Sequence, residues 1–139
     1  MVMEYIEGES LKEMLMREGK LDFEAAVSIF HQVLAALSAA HSKGIIHRDI
    51  KPDNILLRHL KPGETGSSIE MQRNLLGAVE KARTIAKVAD LGLAKVQDSH
   101  SQGYTMSGVM LGTVDYMAPE QAEDAKNVDA RADIYSLGC

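Results

Sequence analysis

The 139-residue chain is 45% hydrophobic and 25% charged, an ordinary globular composition that suffices for one core. Its net charge of -5 argues against a nucleic-acid-binding surface as the main function, because phosphate binding needs a basic patch. A single cysteine, Cys139, excludes an internal disulfide framework, and the acidic first residues do not resemble a secretory signal.

The first predicted elements are a short strand and a short helix. Residues 2–6 read as a strand that leads into a turn at positions 7 and 8. Ser10 and Glu13 have the spacing of a capping box, which predicts a helix starting at Ser10. Gly19 is placed to end this helix, since glycine adopts the left-handed backbone that follows many helices.

A second, longer helix is predicted from residue 23 to about residue 42, with Asp22 as its cap and Gly44 as its end. Residues 25–42 contain no Asp, Glu, Lys or Arg and could be mistaken for a membrane span. Apolar residues nevertheless recur at helical spacing on one side, and polar residues interrupt the run. We therefore interpret this segment as a core helix and expect no membrane segment in this chain.

The second half of the chain is predicted to contain short strands, a long insertion and a final helix. Strands are expected at residues 45–46 and 55–57, a further strand is expected to end at Asp90, and the last helix begins within residues 128–139. Far more residues separate Asn54 from Asp90 than a tight hairpin needs, which predicts an insertion within residues 58–84. A neutral insertion is favoured there over a surface that docks a partner.

The polar loop "HRDIKPDN", residues 47–54, carries the residue types that phosphoryl transfer requires. Asp49 can orient a hydroxyl and accept its proton, while Lys51 can approach the phosphoryl oxygens. Asn54 and Asp90 offer oxygen ligands for Mg²⁺, which prefers such ligands together with nucleotide phosphates. Each residue alone has a simpler explanation, such as a turn or a packed histidine. The ordered set favours the chemical interpretation.

Four segments, in order, resemble motifs of the protein kinases. "HRDIKPDN" looks like the catalytic loop, "DLG" at 90–92 like the DFG motif, "GTVDYMAPE" at 112–120 like the end of the activation segment, and "DARADIYSLGC" like the following helix. "VMEYIEGESL" resembles the hinge between kinase lobes. Lys51 and Thr113 resemble serine/threonine kinases rather than tyrosine kinases, and "GTVDYMAPEQA" is similar to bacterial members.

The resemblance implies an α+β fold that is a partial kinase domain, mainly the helical large lobe without the small lobe. The implied layout places the hinge at residues 1–9 and the helices with the catalytic loop at residues 10–57. The insertion follows at residues 58–84, the metal-binding motif with the activation segment at residues 85–120, and the start of the next helix at residues 121–139. The chain contains no Gly-rich loop and no matching strand lysine for the ATP phosphates. We therefore expect the isolated chain to be inactive and to belong to a longer kinase.

The resemblance also implies a role for each matching residue. The proposed catalytic residues are Asp49, Lys51 and Thr113. The proposed ligands of Mg²⁺ or Mn²⁺ are Asn54 and Asp90. The proposed ATP contacts are Met3, Glu4, Ile6, Ser10 and Leu56. The candidates for regulatory phosphorylation are Thr105 and Ser107. The residues expected to support the site structurally are His47, Arg48, Leu91, Glu120 and Asp133.

The implied function is transfer of the ATP γ-phosphoryl group to serine or threonine hydroxyls of a protein substrate, in the cytoplasm. Nucleic acid is not an expected partner. The alternative is a non-catalytic, truncated or pseudokinase-like interaction module, which the intact Asp49, Asn54 and Asp90 argue against. Small-molecule phosphotransferases share a related loop, but the "APE" segment and the long activation loop disfavour them.

Overall fold

The computed structural model describes residues 6–60, 84–90, 114–123 and 127–139. The elements within them are β1 (Glu9–Ser10), α1 (Leu11–Glu18), α2 (Phe23–His41), β2 (Ile55–His59), β3 (Thr84–Val88), α3 (Pro119–Glu123) and α4 (Arg131–Gly138). Short 3₁₀ turns occupy Pro52–Asn54 and Val114–Tyr116. The predicted α+β class is confirmed. The chain divides into two compact units, Met1–Ala36 with Pro52–Ala89 and Leu37–Lys51 with Asp90–Cys139.

Helix α1 begins and ends where the sequence predicts. Ser10 has extended backbone, its hydroxyl accepts the Glu13 N–H at 3.2 Å, and its own N–H donates to Glu13 Oε2 at 2.7 Å. The bond from the Ser10 N–H, followed by a bond from the Ser10 hydroxyl to Glu13 Oε2 at 2.9 Å, holds the pKa of Glu13 below its ordinary value. Gly19, at φ 77°, ends the helix and donates its N–H to the Leu15 carbonyl. The capping box is confirmed.

The sheet of the first unit has the order β1-β2-β3, and both neighbouring pairs are antiparallel. His59 lies opposite Thr84, so residues 60–83 connect the ends of two strands that form a hairpin. Within β2, Ile55 and Leu57 are buried and Leu56 is half-buried, which places Leu56 on the opposite face of the sheet. Most of the predicted insertion, residues 61–83, lies outside the described residues.

Helix α2 is long and apolar enough to cross a membrane, by length and composition alone. Ile29, Val33 and Leu37 recur on one side of the helix and are buried. Gln32 is also buried; its side chain accepts the Ala86 N–H at 2.9 Å and donates to the Thr84 carbonyl at 3.0 Å. The amide of Gln32 thus hydrogen-bonds to main-chain groups of β3. These protein contacts favour the interpretation of α2 as a core helix.

The second unit contains a small core built by Ala118, Val128 and Ala132, against which Ile46 packs. The strand predicted at residues 45–46 is wrong, because these residues have irregular backbone. Their neighbours His47 and Arg48 donate their N–H groups to the buried Asp133 carboxylate. Among the described residues, the Asp133 side chain therefore accepts the main-chain N–H groups of His47 and Arg48, which a neighbouring strand would otherwise accept.

The strand predicted to end at Asp90 ends two residues earlier, at Val88. Asp90 has a φ of 55°, a left-handed conformation that a strand cannot contain. The strand predicted at residues 2–6 falls almost entirely outside the described residues, and Ile6 has irregular backbone. The last predicted helix is confirmed as α4, and the second predicted helix is confirmed as α2 with Asp22 capping it through the Ala25 N–H.

Replacing Gly8 by alanine should destabilise the first unit by about 1–3 kcal/mol, the usual cost of forcing extra atoms into occupied space. A Cβ at Gly8 would overlap the main-chain carbonyl of Leu57, and the backbone cannot withdraw without disturbing the β1–β2 pairing. Urea denaturation measures the loss. Gly138→Ala is the matched control, since a Cβ at Gly138 meets no atom within 4 Å. Equal stability of the two variants would contradict this account of Gly8.

Candidate active site

Asp49 and Lys51 lie together in the loop that follows α2. Lys51 Nζ is 3.0 Å from Asp49 Oδ2, and the two side chains are 18% and 27% exposed, respectively. The carboxylate is therefore within reach of solvent and beside a cation. A carboxylate in this position can accept a proton from a hydroxyl, and the ammonium can attract phosphoryl oxygens.

Arg48, directly before Asp49, has a φ of 67°, which is uncommon for any residue except glycine. Its N–H donates to Asp133 Oδ1 at 2.7 Å, and its carbonyl accepts a hydrogen bond from Gln121 Nε2 at 2.9 Å. Side chains from α4 and α3 thus hold both polar groups of this main-chain residue. Such conformations persist where the surroundings over-determine them, and they occur mainly at functional sites.

Asp133 of α4 is fully buried, and its carboxylate is surrounded by nitrogen atoms. Oδ2 accepts the His47 N–H at 2.9 Å and lies 2.7 Å from His41 Nε2, while Oδ1 accepts the Arg48 N–H. A buried carboxylate is stable only where hydrogen bonds replace its lost hydration. Asp133 therefore fixes the backbone of the loop, since most of its partners are main-chain groups.

His47, the first residue of the loop, is fully buried. Its Nδ1 accepts the Asp49 N–H at 3.3 Å, so this nitrogen carries no proton in that arrangement. Ile50, on the other side of Asp49, is 2% exposed. Asp49 consequently projects from a short segment whose flanking residues are anchored in the interior of the second unit.

Asn54 and Asp53 lie in the first unit, at the 3₁₀ turn, and have different surroundings. Asn54 is buried, and its main-chain carbonyl accepts the Ala89 N–H at 2.8 Å. Asp53 is exposed and forms an ion pair with Lys12 at 2.7 Å. The backbone of Asn54 is thus held by a hydrogen bond, whereas the Asp53 side chain forms an ion pair with Lys12 at the surface.

The donor chemistry of Asn54 and Asp90 fits Mg²⁺, since an amide oxygen and a carboxylate are hard oxygen ligands. Asp90 directly follows Ala89, and its left-handed backbone turns the chain at the end of β3. Within the described ranges, no group of three or more His, Cys, Asp or Glu could hold a metal alone. Mg²⁺ that binds together with nucleotide phosphates needs only one or two protein carboxylates.

Two of the predicted ATP contacts are neighbours in the sheet. Ser10 of β1 lies directly opposite Leu56 of β2, and Leu56 lies on the sheet face away from the buried Ile55 and Leu57. Ile6 is half-buried. The remaining predicted contacts, Met3 and Glu4, lie outside the described residues.

The other predicted site residues are divided between the described and the undescribed parts of the chain. Glu120 is exposed in the first turn of α3. Four positions lie outside the described residues, namely Leu91, Thr105, Ser107 and Thr113. The structure adds His41 and Gln121, which sequence reasoning did not identify. In the sequence, Gln121 could be noticed as a site residue only by its position directly after the "APE" segment. No motif in the sequence around His41 indicates a role in the site.

Comparison with known proteins agrees with the resemblance noted in the sequence. The family model described as protein kinase domain matches residues 1–139. The chain is 40% identical over 138 residues to serine/threonine-protein kinase pkn3 of Myxococcus xanthus, covering 98% of this chain and 22% of that protein. It is 38% identical over 138 residues to PknL of Mycobacterium tuberculosis, covering 99% and 28%, respectively.

A third relative is serine/threonine-protein kinase PknB of Mycobacterium tuberculosis, which is 33% identical over 138 residues. The alignment covers 99% of this chain and 18% of that protein. The chain thus spans less than a third of the length of each of these relatives. The match over the whole chain and the loop built around Asp49 lead to the same conclusion: the chain belongs to the protein kinase domain family.

Proposed function

We propose that this chain contributes the catalytic loop of a serine/threonine kinase, which transfers the γ-phosphoryl group of ATP to serine or threonine hydroxyls of proteins. The observation that carries the proposal is the setting of Asp49. Its carboxylate is partly exposed beside Lys51, and the loop backbone before it is hydrogen-bonded to the buried Asp133 carboxylate. The names of the relatives, all serine/threonine-protein kinases, support it.

In this proposal, Asp49 orients the substrate hydroxyl and accepts its proton as the oxygen attacks the γ-phosphorus. The bond from that phosphorus to the β-phosphate oxygen breaks, and ADP leaves. Lys51 stabilises charge on the transferred phosphoryl oxygens, and Thr113 is the proposed partner of Asp49 and Lys51. The loop's fixed backbone means that little reorganisation is needed at the moment of transfer.

Asn54 and Asp90 are the proposed ligands of Mg²⁺ or Mn²⁺. When bound with ATP, the ion neutralises part of the charge on the phosphate oxygens. The buried position of Asn54 and the bond from the Ala89 N–H to its carbonyl support a fixed ligand at this point. The protein's own contribution is to hold these oxygen donors in place.

The proposed ATP side consists of residues near the start of the chain and on β2, namely Met3, Glu4, Ile6, Ser10 and Leu56. The pairing of Ser10 with Leu56 supports this grouping. We assign the chain to the hinge and the helical large lobe, with residues 1–9 as hinge, 58–84 as insertion and 85–120 as metal-binding motif and activation segment. The kinase portion would act in the cytoplasm, where ATP is available.

Arg48 and the activation segment suggest regulation by phosphorylation. A guanidinium directly before the catalytic carboxylate can pair with a phosphate, and Arg–phosphate pairs order mobile segments. Thr105 and Ser107 are the proposed acceptors. Leu91 and Glu120 are the proposed structural residues of the segment.

The proposal is tested by incubating the complete kinase with ATP labelled in the γ-phosphate, Mg²⁺ and a mixed protein substrate. Acid hydrolysis of the labelled protein should release phosphoserine or phosphothreonine. Label found only in phosphotyrosine, or only in small molecules, would refute the assignment. A sample without divalent cation is the control and should show no transfer.

Replacing Asp90 by asparagine should raise the Mg²⁺ concentration needed for half-maximal phosphotransfer, because a neutral amide is a weaker ligand than a carboxylate. A titration of Mg²⁺ at saturating ATP measures the change. Asp53→Asn is the matched control, since Asp53 pairs with Lys12 at the surface. Equal Mg²⁺ requirements in the two variants would contradict the role given to Asp90.

A further inference from the structure

We propose that Gln121 is a positioning residue that connects α3 to the catalytic loop and sets the orientation of the peptide on which Asp49 is carried. Its effect on rate rests on the proposed kinase function, whereas its effect on the loop backbone does not. Gln121 is 7% exposed and belongs to the short helix α3, which begins within the "APE" segment. No part of the phosphoryl-transfer scheme above uses it.

Both ends of the Gln121 amide are engaged. Oε1 accepts the Ala118 N–H at 3.2 Å, and Nε2 donates to the Arg48 carbonyl at 2.9 Å. The main chain of Gln121 also bonds to Ala118, since its N–H donates to the Ala118 carbonyl at 2.9 Å. Reversing the amide would place an oxygen against the Arg48 carbonyl and an NH₂ group against the Ala118 N–H, so only one orientation satisfies both partners.

Three consecutive peptide groups of the loop are held by the buried side chains of Asp133, Gln121 and His47. Asp133 accepts the N–H groups of His47 and Arg48, which belong to the peptides before and after His47. The next peptide contains the Arg48 carbonyl and the Asp49 N–H in one plane. Gln121 bonds to the oxygen of that peptide, and His47 Nδ1 bonds to its N–H at 3.3 Å. Among the described residues, the hydrogen bonds of Asp133 go to His41 and to the two peptides on either side of His47, whereas Gln121 and His47 bond to the peptide that bears Asp49.

The conformation of Arg48 explains why this peptide needs its own anchor. A φ of 67° is unfavourable for a residue with a Cβ, and the chain relaxes from it when a bond that enforces it is lost. Rotation of the peptide between Arg48 and Asp49 would turn the Asp49 carboxylate away from Lys51. Because Gln121 is part of α3, its hydrogen bond to the Arg48 carbonyl transmits the placement of α3 to the catalytic carboxylate.

Two variants of Gln121 separate its two bonds. Gln121→Leu keeps most of the volume and removes both hydrogen bonds. Gln121→Glu keeps an acceptor for the Ala118 N–H, but its ionised carboxylate cannot donate to the Arg48 carbonyl. Both should lower the kcat of the complete kinase by about 10- to 100-fold, the usual consequence of a small misplacement of a catalytic group. The KM for ATP should stay at the parent value, because the hydrogen bonds that the described residues give Gln121 go to Ala118 and Arg48.

Gln32→Leu is the matched control for loss of stability. Gln32 is another buried glutamine with two main-chain hydrogen bonds, but these go to Thr84 and Ala86 of β3. The same substitution there removes comparable interactions without touching the Arg48 peptide. All rates are compared at a temperature at which each variant is folded by circular dichroism. Glu123→Gln, at an exposed position of α3, should retain the parent rate.

The second readout is amide hydrogen exchange at Asp49 in the same proteins, which does not require activity. Exchange should accelerate in Gln121→Leu and Gln121→Glu and stay at the parent rate in Gln32→Leu. A parent-like kcat or a parent-like exchange rate in both Gln121 variants would overturn the proposal, as would equal changes in Gln32→Leu. If the parent transfers no phosphate, the kinase assignment fails, and the exchange rates alone decide whether Gln121 orients this peptide.

Discussion

Replacing Asp133 by asparagine should lower the phosphotransfer kcat by about 10- to 100-fold and the free energy of unfolding by about 1–3 kcal/mol. Asparagine has the same shape, but one carboxylate oxygen becomes an NH₂ group. If that group replaces Oδ1, it faces the Arg48 N–H; if it replaces Oδ2, it faces the His47 N–H. Either orientation places two donors against each other in the interior, and the loop backbone has to move. Steady-state kinetics and urea denaturation measure the two effects.

Asp129→Asn is the control for the Asp133 prediction. Asp129 lies just before α4, and its side chain is 55% exposed and pairs with Arg131. Hydrogen bonds from Arg131 lower the pKa of Asp129, which keeps its carboxylate ionised at neutral pH. The same chemical change at an exposed carboxylate should leave kcat at the parent value. If Asp133→Asn matched Asp129→Asn in both rate and stability, the structural role of Asp133 would be refuted.

Replacing Asp49 by asparagine should lower kcat by about 10²- to 10⁴-fold, the range that general base catalysis contributes. The amide can still accept a hydrogen bond from the substrate hydroxyl, but it cannot take the proton. Stability should change little, because the contact with Lys51 is partly exposed and such pairs contribute about 0–1 kcal/mol. Steady-state kinetics at saturating ATP and protein substrate measures the fall in rate.

Features of the fold that depend on neighbouring residues were predictable from the sequence. The capping box of Ser10 and Glu13, the helix end at Gly19 and the cap at Asp22 all involve groups a few residues apart. The short apolar run at residues 55–57 likewise gave a strand at the right place. Local chemistry decides these elements, so the sequence pattern is sufficient for them.

The irregular backbone at residues 45–46 has a local cause and a remote one. The Ile45 N–H donates to the Ala40 carbonyl at 3.0 Å, at the end of α2. His47 and Arg48 give their N–H groups to a carboxylate more than eighty residues later in the chain. The apolar pair at 45–46 has the composition of a strand, and Ile46 does pack in the core. The local bond at the end of α2 and the tertiary bonds to Asp133 together overrode the strand preference of this pair, and the tertiary bonds could not be predicted from neighbouring residues.

The sequence predicted the chemical groups of the candidate site. It did not predict all of the residues that hold the backbone of the site in place. The carboxylate, the lysine and the two oxygen donors follow from a motif in one short loop and from "DLG". The roles of Gln121 and His41 depend on side chains that meet only in the folded unit, at Arg48 and Asp133. A glutamine or histidine carries no sequence pattern that distinguishes such a contact from an exposed position.

The most direct measurement of the central claim is the phosphotransfer rate of Asp49→Asn beside that of Asp53→Asn in the complete kinase. Both variants remove one carboxylate from the same short loop, but Asp53 pairs with Lys12 at the surface and Asp49 lies beside Lys51. The account predicts a rate near the parent value for Asp53→Asn and a loss of about 10²-fold or more for Asp49→Asn. Equal rates for the two variants would contradict the assignment of Asp49 as the base.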